Sequence, residues 1–118
     1  MQNIREYVTG KKIYVSTDES TDTKGRYYVA NVIVGTLKFD KPGTIFLLTS
    51  EVLQKVDHSN ICVLFAKSMS LLWPNEIQHE DVLLFITDAT PYMIKAAKSI
   101  KDFYPRMMHA TYLATWFA

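Results

Sequence analysis

Hydrophobic and polar positions divide the first half of the chain into three segments with strand-like composition. Residues 11–17, 26–38 and 44–55 are rich in β-branched and aromatic side chains, and polar, turn-forming segments at 18–25 and 39–43 separate them. We therefore predict an antiparallel meander of three strands. The second strand carries apolar side chains at both alternating sets of positions, which predicts that both of its faces are covered.

The spacing of apolar residues changes to a helical period after residue 58. Asp57 or Ser59 would serve as the N-cap of this first helix, and Trp73-Pro74 would end it. The predicted buried face consists of residues at helical spacing: Ile61, Leu64, Phe65, Ser68, Leu71 and Leu72.

The second half of the chain predicts a buried strand, a helix and a further strand. Residues 81–87 form a nearly unbroken apolar run, Thr90 and Pro91 would begin the helix, Pro105 would end it, and 106–114 would be the fifth strand. The helix would bury Met93, Ala96, Ala97, Ile100 and Phe103. The order β-β-β-α-β-α-β predicts an α/β fold with a five-stranded mixed sheet, because crossover helices make strands four and five parallel to strand one.

Two of the apolar runs end in the same Thr-Asp pair, as VSTDEST at 15–21 and FITDATP at 85–91. If strands one and four are parallel neighbours, Asp18 and Asp88 meet at one edge of the sheet, where open α/β sheets bind ligands. Two such carboxylates repel each other unless a cation or proton lies between them. Mg²⁺ suits this arrangement, since it is commonly held by one or two carboxylates and completed by water and phosphate oxygens.

Ordinary loop chemistry gives a second explanation of the same residues. An aspartate after a strand often caps a loop, and Asp88 would also favour the N-terminus of the second helix. By the same reasoning, Glu19 and Asp22 are expected to be solvated loop carboxylates. Spacing alone leaves the metal and the loop explanations both open.

Composition limits the class of protein. The chain has 118 residues, 48% hydrophobic and 21% charged, which predicts one globular domain, and its net charge of +1 provides no overall basic field. The single cysteine, Cys62, excludes an internal disulfide and a Cys-based zinc site, and it is expected to be buried and inert. Without a long apolar span or signal core, we expect a soluble intracellular protein.

Three segments resemble transposases of the hAT superfamily and proteins domesticated from them: VSTDESTDTKGRYYVANVIVGTL (15–37), CVLFAKSMSLLW (62–73) and VLLFITDATPYMIKAAKSI (82–100). The resemblance implies a ribonuclease H-like catalytic core in which Asp18 and Asp88 are catalytic and bind Mg²⁺ or Mn²⁺. It also implies a glutamate supplied later in the chain, DNA as the partner, and nuclear residence, with cytoplasmic residence as the alternative and secretion not expected.

The sequence departs from that family pattern in two places. No late glutamate follows within the 118 residues, and neither Glu51 nor Glu80 is predicted to lie at the carboxyl edge of the sheet. Relatives usually place a Cys-x-x-His element after the fifth strand, where this chain has Tyr112 and Thr115. His109 remains, and a lone histidine in an apolar strand is expected to be a hydrogen-bonded structural residue.

Two functional hypotheses follow. In the first, residues 1–118 are a single partial ribonuclease H-like domain, truncated at its C-terminus, from a hAT-type transposase or its domesticated remnant. It would keep two metal-binding aspartates but would not cleave DNA alone. In the second, the fold serves as a non-enzymatic protein- or DNA-interaction module. The apolar C-terminus would pack back on the sheet or form an oligomer contact, through Tyr112, Leu113, Trp116 and Phe117.

Overall fold

The computed structural model describes residues 2–21, 24–25, 27–37 and 45–111. The elements in chain order are α1 (Gln2–Val8), β1 (Ile13–Thr21), β2 (Tyr28–Thr36), β3 (Ile45–Leu53), α2 (His58–Leu72), a 3₁₀ turn (His79–Asp81), β4 (Val82–Thr87), α3 (Pro91–Lys101) and β5 (Met108–Thr111). The predicted strands and helices are present, and α1 and the 3₁₀ turn are additions. Of the described helices, none has the length and apolar character needed to cross a membrane.

The five strands form one mixed sheet in the order β3-β2-β1-β4-β5. β1 pairs with β2, and β2 with β3, in antiparallel fashion, while the pairs β1–β4 and β4–β5 are parallel. This confirms the predicted α/β class and the parallel arrangement of the first and fourth strands. The central position of β1 follows from the crossover through α2, which carries the chain from one side of β1 to the other.

The described helices pack on one face of the sheet. Phe65 of α2 contacts Phe85 of β4 edge-on with a centroid distance of 5.0 Å, and Tyr7 of α1 contacts Phe46 of β3 at 5.1 Å. Strand pairing places one residue from each strand in a single row on this covered face: Phe46, Val34, Val15, Phe85 and His109. Burial of this row against the helices supplies much of the hydrophobic stabilisation of the domain.

The opposite face of the sheet is more open. Its matching row consists of Leu47, Ile33, Ser16, Ile86 and Ala110. Leu47 is 58% exposed and Ile45 is 62% exposed. Among the described residues, the prediction that β2 is covered on both sides therefore holds for one face only, since Val29 and Ile33 are half-buried.

Tyr14 shields part of the open face. It is paired with Gly35 across β1 and β2, and a Cβ atom at residue 35 would lie 2.5 Å from its ring. Glycine at this position therefore lets the ring lie flat across the neighbouring strand.

Capping residues set the start of each major helix. Asp57 is the N-cap of α2, and its Oδ1 accepts a hydrogen bond from the backbone N–H of Asn60 at 2.9 Å, which decides between Asp57 and Ser59. Thr90 and Pro91 begin α3 as predicted. Trp73 follows the last residue of α2, also as predicted.

Two residues predicted to be buried are exposed. Leu71 is 40% exposed. Met69 is buried instead, because the face of α2 that packs on the core includes residue 69 and not residue 71. Phe103 lies beyond the end of α3 and is 70% exposed. The fifth strand covers residues 108–111 of the predicted 106–114, and residues 112–118, including Trp116, lie outside the described part of the chain.

Candidate metal centre at the carboxyl edge of β1 and β4

Asp18 lies inside β1 rather than at its end. The strand continues to Thr21, so the predictions that it ends at Asp18 and that a loop starts there are wrong. The cause is β2, which pairs with β1 as far as Thr21 opposite Tyr28 and places Asn31 opposite Asp18. The backbone hydrogen bonds of this ladder hold a polar segment in an extended conformation despite its turn-forming composition.

The parallel pairing of β1 and β4 directs the two strands that lead to the predicted site residues toward the same edge of the sheet. Ser16 is paired with Ile86, an offset of 70 positions (86 − 16), and Asp18 and Asp88 have the same offset (88 − 18). Neighbouring strands lie about 4.8 Å apart. Continued for two residues beyond its last pair, this register would place Asp18 beside Asp88, which stays the prediction of the topology argument.

Asp18 presents its side chain to solvent. Its neighbours Val15 and Thr17 are buried, while Asp18 is exposed, so the alternation of the strand places Asp18 on the open face. No described residue donates a hydrogen bond to its carboxylate. Both of its oxygens are therefore accessible to a cation.

Asp88 is half-buried and is held by the turn that leads into α3. Its Oδ1 accepts hydrogen bonds from the backbone N–H of Thr90 at 3.0 Å and from the Thr90 hydroxyl at 2.6 Å. This is the loop-capping role that the sequence left open. No described residue donates to Oδ2, so capping occupies one oxygen and leaves the other for a ligand.

Glu19 is a part of the site that the sequence reasoning missed. It was expected to be a solvated loop residue, but it lies in β1, and strand alternation directs it to the covered face. Tyr92 of α3 donates a hydrogen bond to Glu19 Oε1, whereas Oε2 is buried without a hydrogen-bond partner among the described residues. Period-2 alternation would have predicted this orientation of Glu19 if the predicted strand had continued past Asp18.

The charges of both aspartates act on the Glu19 carboxyl. Burial raises the pKa of Glu19, the hydrogen bond from Tyr92 lowers it, and the charges of Asp88 and Asp18 raise it further. The net shift is upward. Burial and the same hydrogen bond also raise the pKa of Tyr92, so Tyr92 remains a hydrogen-bond donor at neutral pH.

A histidine and a threonine adjoin Asp88 on its other side. Thr87 Oγ1 lies 2.7 Å from the backbone oxygen of Asp88 and 2.7 Å from Nε2 of His109. His109 is therefore hydrogen-bonded, as expected of a structural histidine, and burial lowers its pKa. Asp22, the remaining carboxylate of the first motif, lies outside the described residues.

Other acidic and nucleophilic residues lie elsewhere. Glu51 forms an ion pair with Lys67 at 2.9 Å, and Glu80 lies in the 3₁₀ turn that precedes β4. Cys62 is half-buried, and burial raises the pKa of its thiol, which fits an unreactive cysteine. It borders an apolar cavity of about 340 Å³ between α2 and α3, which none of the site carboxylates lines.

The donor set fits Mg²⁺ or Mn²⁺ held by two protein carboxylates. In the described part of the chain, no group of three or more His, Cys, Asp or Glu side chains is arranged to hold a metal ion. Mg²⁺ commonly uses only one or two carboxylates and keeps several waters. The buried, unpartnered Oε2 of Glu19 adds negative potential beside the pair.

A family model described as a domain of unknown function, DUF659, matches residues 1–117. The chain belongs to this family. No curated protein matches its sequence. Asp18 and Asp88 both fall within the region that defines this chain as a DUF659 domain.

Solved structures show which fold this DUF659 chain has. It is similar to the catalytic core domain of HTLV-2 integrase, a structure in complex with magnesium in dimeric form, with 15% identity and a TM-score of 0.52. The match covers 87% of this chain and 62% of the integrase chain, so this chain spans less than two thirds of that length. The likeness confirms the predicted ribonuclease H-like fold.

A weaker likeness is to the Argonaute of Marinitoga piezophila, a structure in complex with 5′ OH guide RNA. Identity is 14% and the TM-score is 0.48, with 93% of this chain and 17% of that chain covered.

Proposed function

We propose that this chain belongs to a DNA transposase core of the hAT type, or to a protein domesticated from one, in which Asp18 and Asp88 bind Mg²⁺ or Mn²⁺. The observation that supports this most directly is the parallel β1–β4 pairing, whose register, continued two residues past Ser16 and Ile86, would set both aspartates at one level of the sheet. The upward pKa shift of Glu19, caused in part by both aspartates, supports the same proximity. The DUF659 family is associated with hAT-type transposases.

The chain's own residues supply the geometry for such chemistry. A divalent ion at this position would provide Lewis-acid polarisation of a phosphodiester. Asp18 offers an exposed carboxylate from a central strand, and Asp88 offers one oxygen while Thr90 holds the other. Because Asp18 lies in β1 and Asp88 directly follows the neighbouring β4 and is held by Thr90, both residues are restrained before any ligand arrives.

We further propose that these residues do not complete strand cleavage and transfer alone. Glu19, the residue after Asp18, accepts a hydrogen bond from Tyr92 on the covered face, and the described residues contain no three-residue metal cluster. In the family that the sequence resembles, a later glutamate completes the acidic triad. DNA as the partner and nuclear or cytoplasmic residence belong to the same proposal.

The open face of the sheet favours a second candidate function, a non-enzymatic interaction module. Ile45, Leu47 and Met108 are 62%, 58% and 66% exposed on strands at the two ends of the sheet order. Apolar side chains on an open sheet face are typical of contact surfaces. Such a module, or a homo-oligomer, would keep the fold without needing the aspartates.

Metal titration separates the two candidates. Calorimetry and amide chemical shifts with Mg²⁺ and Mn²⁺ would be recorded for the wild type, Asp18→Asn, Asp88→Asn and the matched control Glu80→Gln. We expect millimolar or tighter binding that both aspartate substitutions weaken at least about tenfold and that the control preserves. No binding at millimolar metal would refute the metal site and favour the interaction module.

A DNA nicking assay tests the proposed incompleteness. Supercoiled DNA incubated with the chain and Mg²⁺ or Mn²⁺ should remain uncut, because the described carboxylates do not form a three-residue cluster. Metal-dependent nicking that Asp18→Asn abolishes would show instead that the chain cleaves DNA by itself.

A further inference from the structure

The contacts of Thr87 determine the direction of a hydrogen-bond chain beside Asp88. Its hydroxyl has one hydrogen, yet Oγ1 lies 2.7 Å from both the Asp88 carbonyl oxygen and His109 Nε2. A carbonyl oxygen only accepts, so the Thr87 hydrogen is directed at Asp88. The remaining contact then needs a donor, and His109 Nε2–H is the group that can supply it.

The opposite arrangement would leave two acceptors facing each other. If His109 carried its proton on Nδ1, the Thr87 hydroxyl would have to donate to Nε2. The 2.7 Å contact between Thr87 Oγ1 and the Asp88 oxygen would then contain no hydrogen. Such a contact between unshared oxygen lone pairs is unfavourable in a buried setting, and Thr87 is fully buried.

We infer that His109 and Thr87 are positioning residues of the Asp18–Asp88 site, acting through the hydrogen-bond chain His109 Nε2–H to Thr87 Oγ1–H to the Asp88 carbonyl. This inference rests on the proposed function, since it assigns the two residues to the orientation of a metal ligand. Neither residue touches the position where a ligand would bind. Their effect is on the backbone from which the Asp88 carboxylate extends.

Packing gives this chain of hydrogen bonds little freedom. His109 is paired with Phe85 across β4 and β5, and the two rings lie 6.0 Å apart. The same ladder ends at Thr87 opposite Thr111, so Asp88 is the first residue beyond it. A side-chain hydrogen bond to its carbonyl replaces the restraint that the strand no longer provides.

The two ends of Asp88 are therefore restrained by different residues. Thr87 holds the backbone carbonyl, and Thr90 holds Oδ1 through its N–H and its hydroxyl. With both restraints, Oδ2 points in one direction relative to β1. Residues in this supporting position around metal ligands typically change metal affinity about 10- to 100-fold when they are removed.

The experiment uses three variants of the full chain. Thr87→Val keeps the shape but removes the hydroxyl, Thr87→Ser restores it, and Thr36→Val is the matched control. Thr36 is also a buried strand threonine, and its hydroxyl has no hydrogen-bond partner among the described residues. The Kd for Mg²⁺, the amide shifts of residues 88–90 and the melting temperature are measured for each.

We expect Thr87→Val to raise the Kd for Mg²⁺ about tenfold, Thr87→Ser to restore it to within about twofold, and Thr36→Val to leave it unchanged. The shifts of residues 88–90 should move in Thr87→Val even without metal. Imidazole ¹⁵N shifts of the wild type should show the Nε2–H tautomer at His109. That measurement needs no variant and decides the hydrogen-bond direction if Thr87→Val does not fold.

The outcomes separate this inference from the proposed function. Normal Mg²⁺ binding in the wild type that Thr87→Val leaves unchanged would refute the positioning role alone. An Nδ1–H tautomer at His109 would refute it as well. Absence of Mg²⁺ binding by the wild type would refute the proposed function, and with it the role assigned to both residues.

Discussion

The two Thr-Asp pairs of this chain have the same sequence but different surroundings. Thr17-Asp18 lies inside β1, where β2 continues the ladder past the aspartate. Thr87-Asp88 lies where β4 stops and the turn into α3 begins. Asp18 is exposed and no described residue donates a hydrogen bond to its carboxylate, whereas Asp88 is half-buried and capped by Thr90.

This difference separates structural from functional importance. Asp88 has a role in the fold whether or not a metal binds, because Thr90 depends on its carboxylate. Asp18 has no such contact in the described structure, so its substitution is expected to affect the fold less than that of Asp88. The most informative experiments therefore compare substitutions at or near Asp18 with substitutions at or near Asp88.

Removal of the packing beneath the β4 site should have the largest effect. Phe85→Ala deletes a fully buried ring that contacts Phe65, and we expect it to lower the free energy of unfolding by about 3–5 kcal/mol. Val15→Ala, its partner on β1, should cost less because fewer atoms are removed. Urea denaturation measures both, and a larger loss for Val15→Ala would contradict the expectation that the loss follows the number of buried atoms removed.

Alanine substitution at each aspartate should lower the free energy of unfolding by different amounts. Asp88→Ala removes the acceptor of two hydrogen bonds and should destabilise the fold by about 1–2 kcal/mol. Asp18→Ala should change stability by no more than about 0.5 kcal/mol. Thermal and urea unfolding in chelator, which excludes metal effects, provide the test. Equal losses of stability at the two positions would contradict the expectation that Asp88 stabilises the fold more than Asp18 does.

Tyr92→Phe tests the contact between α3 and the β1 site. It removes the donor to Glu19 and leaves a second carboxylate oxygen of that residue unpartnered, so we expect a loss of about 1 kcal/mol at neutral pH. In Glu19→Gln/Tyr92→Phe, much of this loss should disappear because the buried charge is gone. A double-mutant cycle from urea unfolding gives the coupling free energy between Glu19 and Tyr92. A value near zero would show that their hydrogen bond does not stabilise the fold.

Glu19→Gln should have the smallest effect and a characteristic pH dependence. The folded-state pKa of Glu19 is raised, so the folded chain binds its proton more readily than the unfolded chain. Its contribution to stability is therefore present below its ordinary pKa and is lost as pH rises through the raised value. In chelator, Glu19→Gln should be more stable than the wild type at pH 7, by about 0.5 kcal/mol or less, and the difference should shrink toward pH 4. A wild type that gains stability over Glu19→Gln as pH rises would contradict the assigned shift.

Much of the fold could be predicted from residue patterns. The apolar run at 81–87 gave a central strand, and the Thr90-Pro91 pair gave the start of α3. Both signals are local, because the apolar run reflects the burial of one segment and the Thr90-Pro91 pair reflects the backbone preferences of two adjacent residues. α1 escaped prediction because it is short, and contacts such as that of Tyr7 with Phe46 stabilise it.

The site was only partly predictable for a related reason. The parallel arrangement of β1 and β4 followed from the inferred topology, so Asp18 and Asp88 could be predicted to lie at one edge of the sheet. The position of Glu19 depended on how far β1 extends, and that depends on β2. The contact of His109 with Thr87 depended on the register of β5, which nothing in the local sequence specifies.

The sequence by itself determined the order of the central elements, the start of α3 and the presence of two Thr-Asp motifs after apolar runs, because hydrophobic period and capping chemistry act within a few residues. The tertiary structure decided what each motif does. Pairing with β2 kept Asp18 and Glu19 in a strand and turned them to opposite faces, and the end of the β4–β5 ladder left Asp88 to be held by its neighbours. Hydrogen bonds between strands distant in sequence cause these differences, so the residues around each motif do not predict them.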